Sequence, residues 1–467
     1  MILSREANRY YSHEYSIDSS YKKWKRGGYG IIYYNSIENS IIKKIPRYEE
    51  HTSCSDTFYP SLATNKDCIY YIYYPAIQEA CFSKLLSNFQ GFVGLTSVYL
   101  SAHFIYFHQK YLGNTLHHHI PMIDKEERPH VIAEILRLCI IMEVNGLQHT
   151  DLKTNNILYN PTTNGITIID YNCMSTLYVE NDQLKWVDSI GTWMYVAPEI
   201  AFNNKINDNS IVWTIGMLIA SMLQQYPISK EFYPTYVLKN TISERKEWII
   251  TLKNICIKET EPYFSKCFET IATNYQQILS KIFYNDPQQR PSLLELYNLW
   301  TSTFNLPVTK DFEQYYHEIV VTPFLGWGEN DRSYIIHHIY KFCIRWNQIH
   351  KFCTMIHIID NFSKHIIESV YEVVIFSAWT IVNSLMNEHV QDHINIYKEI
   401  EEVYKVRSQD ISEMVWIICD YLKWDIYEKP LDVWFIQNKK IIDYDKIVEI
   451  FIQQKTSYSM KSLFEVA

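Results

Sequence analysis

Short apolar and polar runs fill the first hundred residues, and helical spacing takes over beyond them. From Tyr29 to Ile45, YGIIYYNSIENSIIKKI places two β-prone runs around the polar turn NSIEN and predicts a hairpin. PAIQEACFSKLLSNF at 75–89 has proline at its start and apolar residues at helical spacing, predicting a helix. FIYFHQKYL at 104–112 reads as a strand and hinge, IAEILRLCIIMEVNGL at 132–147 as a long helix and ITIIDY at 166–171 as a short buried strand. Helices are expected to dominate from there. A second change comes at 303–333, where proline, glycine and polar residues mix. Apolar runs at helical spacing then recur at 334–349, 353–367, 370–386, 394–406 and 410–424, predicting an all-α second domain.

The expected organisation is an α+β domain over 1–305 with its core at 20–300, a linker at 306–331 and a helical domain at 332–467. A length of 467 residues suits two domains of roughly 100 to 200 residues or somewhat more each. The longest apolar run, IVWTIGMLIASML at 211–223, is shorter than the roughly 20 residues that span a bilayer and predicts a buried helix.

Composition narrows the function classes. Hydrophobic residues are 47% and charged residues 20%, which leaves little room for disorder. The formal charge of −9, with no block of Lys or Arg, weighs against a nucleic-acid partner. The 10 cysteines form no CxxC pair and the N-terminus has no apolar signal core, so reduced thiols in an intracellular compartment are expected, without a membrane anchor. A count of 38 Tyr against 12 Gly, with abundant Ile, Asn and Lys, is the bias of an AT-rich coding sequence.

Transfer of a γ-phosphoryl group needs a phosphate cradle, a cation, metal ligands and a carboxylate for the attacking hydroxyl. KRGGYGII offers Gly27, Gly28 and Gly30 as the cradle, where small residues let backbone N–H groups approach phosphate. Strand alternation turns Lys43 toward that loop and Lys44 away from it. Glu79, on the following helix, is the expected partner of Lys43. In HTDLKTNNIL at 149–158, Asp151 orients the hydroxyl and takes its proton, and Lys153 steadies the phosphate. Asn156 with Asp170 of IIDYN is the expected Mg²⁺ pair, and ATP the expected nucleotide. The triplet His117–His119 is expected to be a solvated helix start, since no second cluster at ligand spacing accompanies it.

Residues 20–300 resemble a eukaryotic-type protein kinase domain. The family's HRDxxxxN matches His149, Asp151 and Asn156, its DFG matches Asp170-Tyr171-Asn172, and its APE matches Ala197-Pro198-Glu199. The resemblance implies a bilobal fold, a small β-rich lobe on a helical one, acting on protein substrates. It implies Ser/Thr specificity through the DLK form at Lys153 and through Thr192 in GTWMY. Arg290 of DPQQRPS is the implied buried partner of Glu199, and loss of one member of such a pair costs roughly 3 to 5 kcal/mol. Gln109 is placed at the border of the adenine pocket.

The departures are Lys25 at the first glycine position of the loop, Asn172 for the DFG glycine, Ile211 for the Asp that braces the catalytic loop, and Thr150 for the Arg that clamps an activation phosphate. Asn172 is expected to tolerate a positive φ. Ile211 is expected to leave catalytic-loop backbone groups in need of another partner. Thr150 implies that activation-loop phosphorylation is not required.

Residues 332–440 resemble a cyclin box. MIHIIDNFSKH at 355–365 and VYEVVIFSAWTIVNSLMNEH at 370–389 resemble its second and third helices, with Asp360 in the place of the helix-capping Asp. ISEMVWIICDYLKWDIYEKPLDVWF at 411–435 resembles the fifth helix and its proline-containing exit, and Trp346 fits the first helix. The combined resemblance implies a kinase activated in cis by pressure on the Glu79 helix, with cyclin or kinase-type partners as another role for the helices. The Lys and Glu with which cyclins grip a kinase are replaced by Leu385 and Val415, so the docking mode differs. A large DNA virus as source, with the protein in host cytoplasm or nucleus or packaged in virions, is the matching expectation. The alternatives are a pseudokinase scaffold without catalysis and an enzyme whose helical domain only recruits substrates or partners.

Overall fold

The computed structural model describes residues 15–26, 30–47, 74–101, 104–187, 189, 191–192, 195–203, 205–224, 271–284, 286–321, 323, 329–362, 371–386, 394–454 and 456–466. Strands β1 (Lys22–Arg26), β2 (Ile31–Asn35), β3 (Ser40–Pro46), β4 (Ser97–Leu100) and β5 (Phe104–Lys110) form one antiparallel sheet in the order β1-β2-β3-β5-β4. The β2–β3 turn closes because the Asn35 side chain accepts the N–H groups of Ile37 and Glu38, at 2.9 and 3.1 Å, and Asn39 takes a φ of +51°. Helix α1 (Tyr74–Leu86) is buried at every residue except Pro75 and Lys84. A helix buried all round must have neighbours on several sides. Glu79 reaches the sheet on one side, and a C-terminal helix packs on another.

The second layer holds α2 (Leu116–His119), α3 (Arg128–Val144), α4 (Pro198–Asn203), α5 (Ser210–Gln224), α6 (Thr273–Ile282) and α7 (Leu293–Thr303). Helix α7 starts with a capping box between Ser292 and Glu295, and the Trp300 indole N–H donates to the Pro129 carbonyl, tying α7 to α3. Five short strands lie among these helices: β6 (Leu147–His149), β7 (Ile157–Asn160), β8 (Gly165–Ile168), β9 (Met174–Glu180) and β10 (Gln183–Trp186). The expectation that helices dominate after 171 missed the β9–β10 hairpin. Its signal was the Asn181-Asp182 pair, which turns the chain with φ of +52° and +57°. The strand predicted over 166–171 ends at Ile168 because Asp170 takes a φ of +71°.

The described residues of the C-terminal part are mostly helical, with a single β-bridge from Tyr458 to Val321: α8 (Glu329–Arg345), α9 (Phe352–Phe362), α10 (Tyr371–Leu385), α11 (Ile394–Tyr404), α12 (Ser408–Tyr421), α13 (Leu431–Gln437), α14 (Tyr444–Gln453) and α15 (Met460–Val466). Residues 363–367 of the predicted 353–367 helix lie outside the described residues. Asp360 sits within α9 and is buried against the Arg332 guanidinium and the Tyr458 hydroxyl.

Among the described residues this helical part packs on the N-terminal part at several places, one of them the Arg47 guanidinium over the Trp416 ring of α12 at 5.0 Å. Helix α10 lies along α1, and the Phe82 ring of α1 meets the Tyr427 ring edge-on at 5.5 Å. Helix α13 lies against β9 and β10, and Tyr178 of β9 meets His350 at 5.3 Å. Residues 315–321 run between the two parts. There the Tyr315 carbonyl accepts from Asn145 at 2.9 Å, Tyr316 donates to Glu428 at 2.8 Å, and His317 pairs with Asp425 at 2.8 Å.

Candidate active site

The register β2–β3–β5 sets Lys43 opposite Ile32 and Phe107, so its side chain points inward while Lys44 lies over the Phe104 ring at 3.7 Å. The Lys43 ammonium is 3.1 Å from Glu79 of α1 and 2.7 Å from Asp170, joining the sheet, α1 and the end of β8 in one ion cluster. Burial alone would push the Lys43 ammonium down, but the Asp170 and Glu79 carboxylates outweigh it and hold it above its ordinary value. Burial likewise works to raise Asp170, and Lys43 overrides it, leaving Asp170 below its ordinary value. Glu79 is raised, because its own burial exceeds what Lys43 returns.

Asp151 sits just past β6 and is held from several directions. Its Oδ1 accepts the Thr192 N–H at 2.7 Å and the Thr192 hydroxyl at 2.6 Å. Its Oδ2 accepts from Lys153 at 2.6 Å and from the Asn156 amide at 3.1 Å, and Lys153 also donates to the Thr192 hydroxyl at 2.7 Å. His149 fixes the loop from beneath. Its Nδ1 accepts the Asp151 N–H at 3.2 Å, which makes Nε2 the protonated nitrogen that donates to Ile169 O at 3.1 Å. Burial lowers the pKa of His149, in keeping with this neutral form. Because the Asn156 amide nitrogen is spent on Asp151, its amide oxygen is the atom left for a cation. With a carboxylate oxygen of Asp170, that is a hard-oxygen pair suited to Mg²⁺, which is held by few protein ligands and completes its shell with phosphate and water.

Against known proteins, residues 70–300 match the family model described as protein kinase domain. The chain carries a protein kinase domain. Among curated relatives, a probable serine/threonine-protein kinase of Dictyostelium discoideum is 25% identical over 295 residues, covering 57% of this chain and 40% of the relative. The serine/threonine-protein kinase PKH2 of Candida albicans is 27% identical over 222 residues, covering 45% of this chain and 21% of the relative. The serine/threonine-protein kinase dst1 of Dictyostelium discoideum is 25% identical over 215 residues, covering 45% of this chain and 27% of the relative. The chain thus spans less than half the length of these relatives. Strands β1 to β3 precede the matched residues and join the kinase domain through the ion cluster of Lys43.

Within the kinase domain, Gly27 and Gly28 lie outside the described residues. Gly30 has a structural reason to be glycine, since a Cβ there would sit 2.5 Å from the Lys44 carbonyl oxygen. Glu199 and Arg290 form a buried bidentate pair at 2.7 and 2.8 Å, with the Ser210 hydroxyl also donating to Glu199 at 2.7 Å. Gln109 is buried on the same face of β5 as Phe107, and its amide nitrogen has no partner among the described residues. His117 and His118 are exposed on α2. Among the described residues no helix is long and apolar enough to cross a membrane.

Two of the sequence-based concerns change. The N–H groups of Thr150 and Asp151 are satisfied without Ile211, by Cys173 O at 3.1 Å and by His149. Ile211 is simply buried. Asn172 does not take the left-handed conformation it was expected to tolerate; Asp170 does, two residues earlier. The sequence reading also missed Tyr171, which is fully buried, donates to Ile168 O at 2.6 Å and accepts the Val93 N–H at 2.9 Å, pinning Asp170 beside Lys43.

Proposed function

We propose that the chain is an ATP- and Mg²⁺-dependent serine/threonine kinase of protein substrates, held in its closed arrangement in cis by its own cyclin-like helices. One observation carries the reading: Lys43, Glu79 and Asp170 meet within 3.1 Å while α1, which bears Glu79, is buried beneath α10. Closure of such a pair depends on what positions the helix that carries its acidic member. Here the contact is supplied by the same chain.

In this mechanism Gly27, Gly28, Gly30 and Lys43 hold the nucleotide phosphates, and Asp151 receives the proton of the substrate hydroxyl as its oxygen bonds to the γ-phosphorus and the bond from that phosphorus to the departing ADP breaks. Lys153 neutralises charge on the transferring group, and Thr192 keeps the Asp151 carboxylate aimed. Asn156 and Asp170 would hold Mg²⁺, which when bound would neutralise phosphate charge. The Lys153–Thr192 contact at 2.7 Å favours serine and threonine as acceptors. A non-catalytic scaffold is not favoured, because each of these polar side chains is in contact with another member of the set. A large DNA virus as source belongs to the same proposal and rests on composition alone. The test is transfer of label from ATP to serine or threonine of casein by the purified chain. Loss of transfer in Asp151→Asn and Asp170→Ala is expected; transfer by both variants at the unaltered rate overturns the enzyme reading.

A further inference from the structure

We propose that Thr150 and Ser189 form a hydroxyl clamp that seats the Gly191–Thr192 turn on Asp151 without any phosphate, which makes both of them positioning residues; the proposal rests on the phosphotransfer reading. The Thr150 hydroxyl donates its one hydrogen to Cys173 O at 2.8 Å. At 2.9 Å from the Ser189 hydroxyl it is therefore the acceptor, and Ser189 the donor. Cys173 opens the segment that carries the β9–β10 hairpin and Ser189 closes it. One side chain, in the residue next to Asp151, thus ties both ends of the segment to the catalytic loop.

The clamp matters for the chemistry because of the two residues just beyond it. A Cβ on Gly191 would lie 2.1 Å from Thr150 O and 2.7 Å from the Asp151 Cα, so the backbone here runs against the catalytic loop at a distance only glycine permits. At the next position the Thr192 N–H and hydroxyl both donate to Asp151. The clamp is the nearest side-chain bond holding that approach on its N-terminal side.

The surroundings argue for a neutral clamp. Ser189 is buried, and the small cavity beside the pair is lined by Gln148, Ser210, Ile211 and Thr214 among others, with no charged side chain in its wall among the described residues. A phosphate on Ser189 would find no counter-charge in that wall, so it would break the bond to Thr150 and replace it with nothing. A neutral hydroxyl pair buried in this way is a firm tie.

The experiment uses the full chain, with label transfer from ATP to casein measured across ATP concentrations. Ser189→Ala, which removes the one bond between the hydroxyls, is expected to lower kcat about tenfold, and Thr150→Val, which also removes the bond to Cys173 O, at least as much, each with KM for ATP within about twofold. The double variant is expected to be no slower than Thr150→Val, because Ser189→Ala removes a bond that Thr150→Val already lacks. Thr150→Ser is expected to restore most of the rate, and Ser189→Asp to be at least as slow as Ser189→Ala. Wild-type kcat in both single variants, multiplied losses in the double variant, or a faster Ser189→Asp overturns the clamp. Absence of transfer by the unaltered chain overturns the phosphotransfer reading itself, a separate outcome visible before any variant is made.

Discussion

Truncating Tyr427 to alanine is the sharpest perturbation of the contact between the helices and the kinase domain. Tyr427 is buried, meets Phe82 of α1 at 5.5 Å between ring centres, and its hydroxyl donates to Gly146 O, just before β6, at 3.3 Å. Removing a buried aromatic ring costs about 3 to 5 kcal/mol, while a hydrogen bond that long contributes about 1 kcal/mol or less. Tyr427→Ala should therefore shift the docking equilibrium by roughly two to three and a half orders of magnitude, and Tyr427→Phe by less than one. Two assays read the result: hydrogen exchange at the amides of α1, and kcat for transfer to casein. The expected outcome is faster exchange in α1 with kcat at least about tenfold lower for Tyr427→Ala, and near-normal values for Tyr427→Phe. If α1 exchanges freely while kcat stays at the unaltered level, the helices do not hold the Lys43–Glu79 pair and the reasoning fails.

Two further outcomes are expected. Burial pushes the Glu428 carboxyl up to about 8, so the folded chain holds that proton more tightly than the unfolded chain, whose ordinary carboxyl titrates near 4.5. The resulting stability is full below about 4.5 and is lost as pH rises toward about 8. His357 lies against Glu428, and burial pushes it down to about 4, so its own contribution disappears only on the acid side, below about 6.5. Melting temperature should consequently fall between pH 6.5 and 8 more steeply in the unaltered chain than in Glu428→Gln; equal slopes would rule out Glu428 as the group responsible. Ile211→Asp, which restores the residue usual in kinases, should destabilise the chain by about 3 kcal/mol or more, because the loop N–H groups it would serve are already bonded. An unchanged melting temperature with higher activity contradicts that view.

The loop at 149–158 was legible because the phosphotransfer chemistry proposed for it confines Asp151, Lys153 and Asn156 to six consecutive positions, and local geometry then brings their side chains together. Lys43 was legible for another reason: strand alternation chooses which of two adjacent lysines faces inward. Where side chains meet partners far along the chain, the sequence carried no such signal. Tyr315, Tyr316 and His317 read as linker, yet they bond to Asn145, Glu428 and Asp425, which lie more than one hundred residues away. The Thr150–Ser189 bond is invisible for the same reason. Asn172 was misjudged because the sequence could identify a residue able to take a positive φ, but not which of three neighbours the backbone would choose.

The claim that the helices sustain the active arrangement is tested most directly by comparing phosphotransfer from the full chain with that from a chain ending at residue 305, with nucleotide binding as the check that the shorter chain has folded. The account expects the shorter chain to bind ATP and to transfer phosphate at least about tenfold more slowly. Equal rates from two chains that both bind ATP would contradict it.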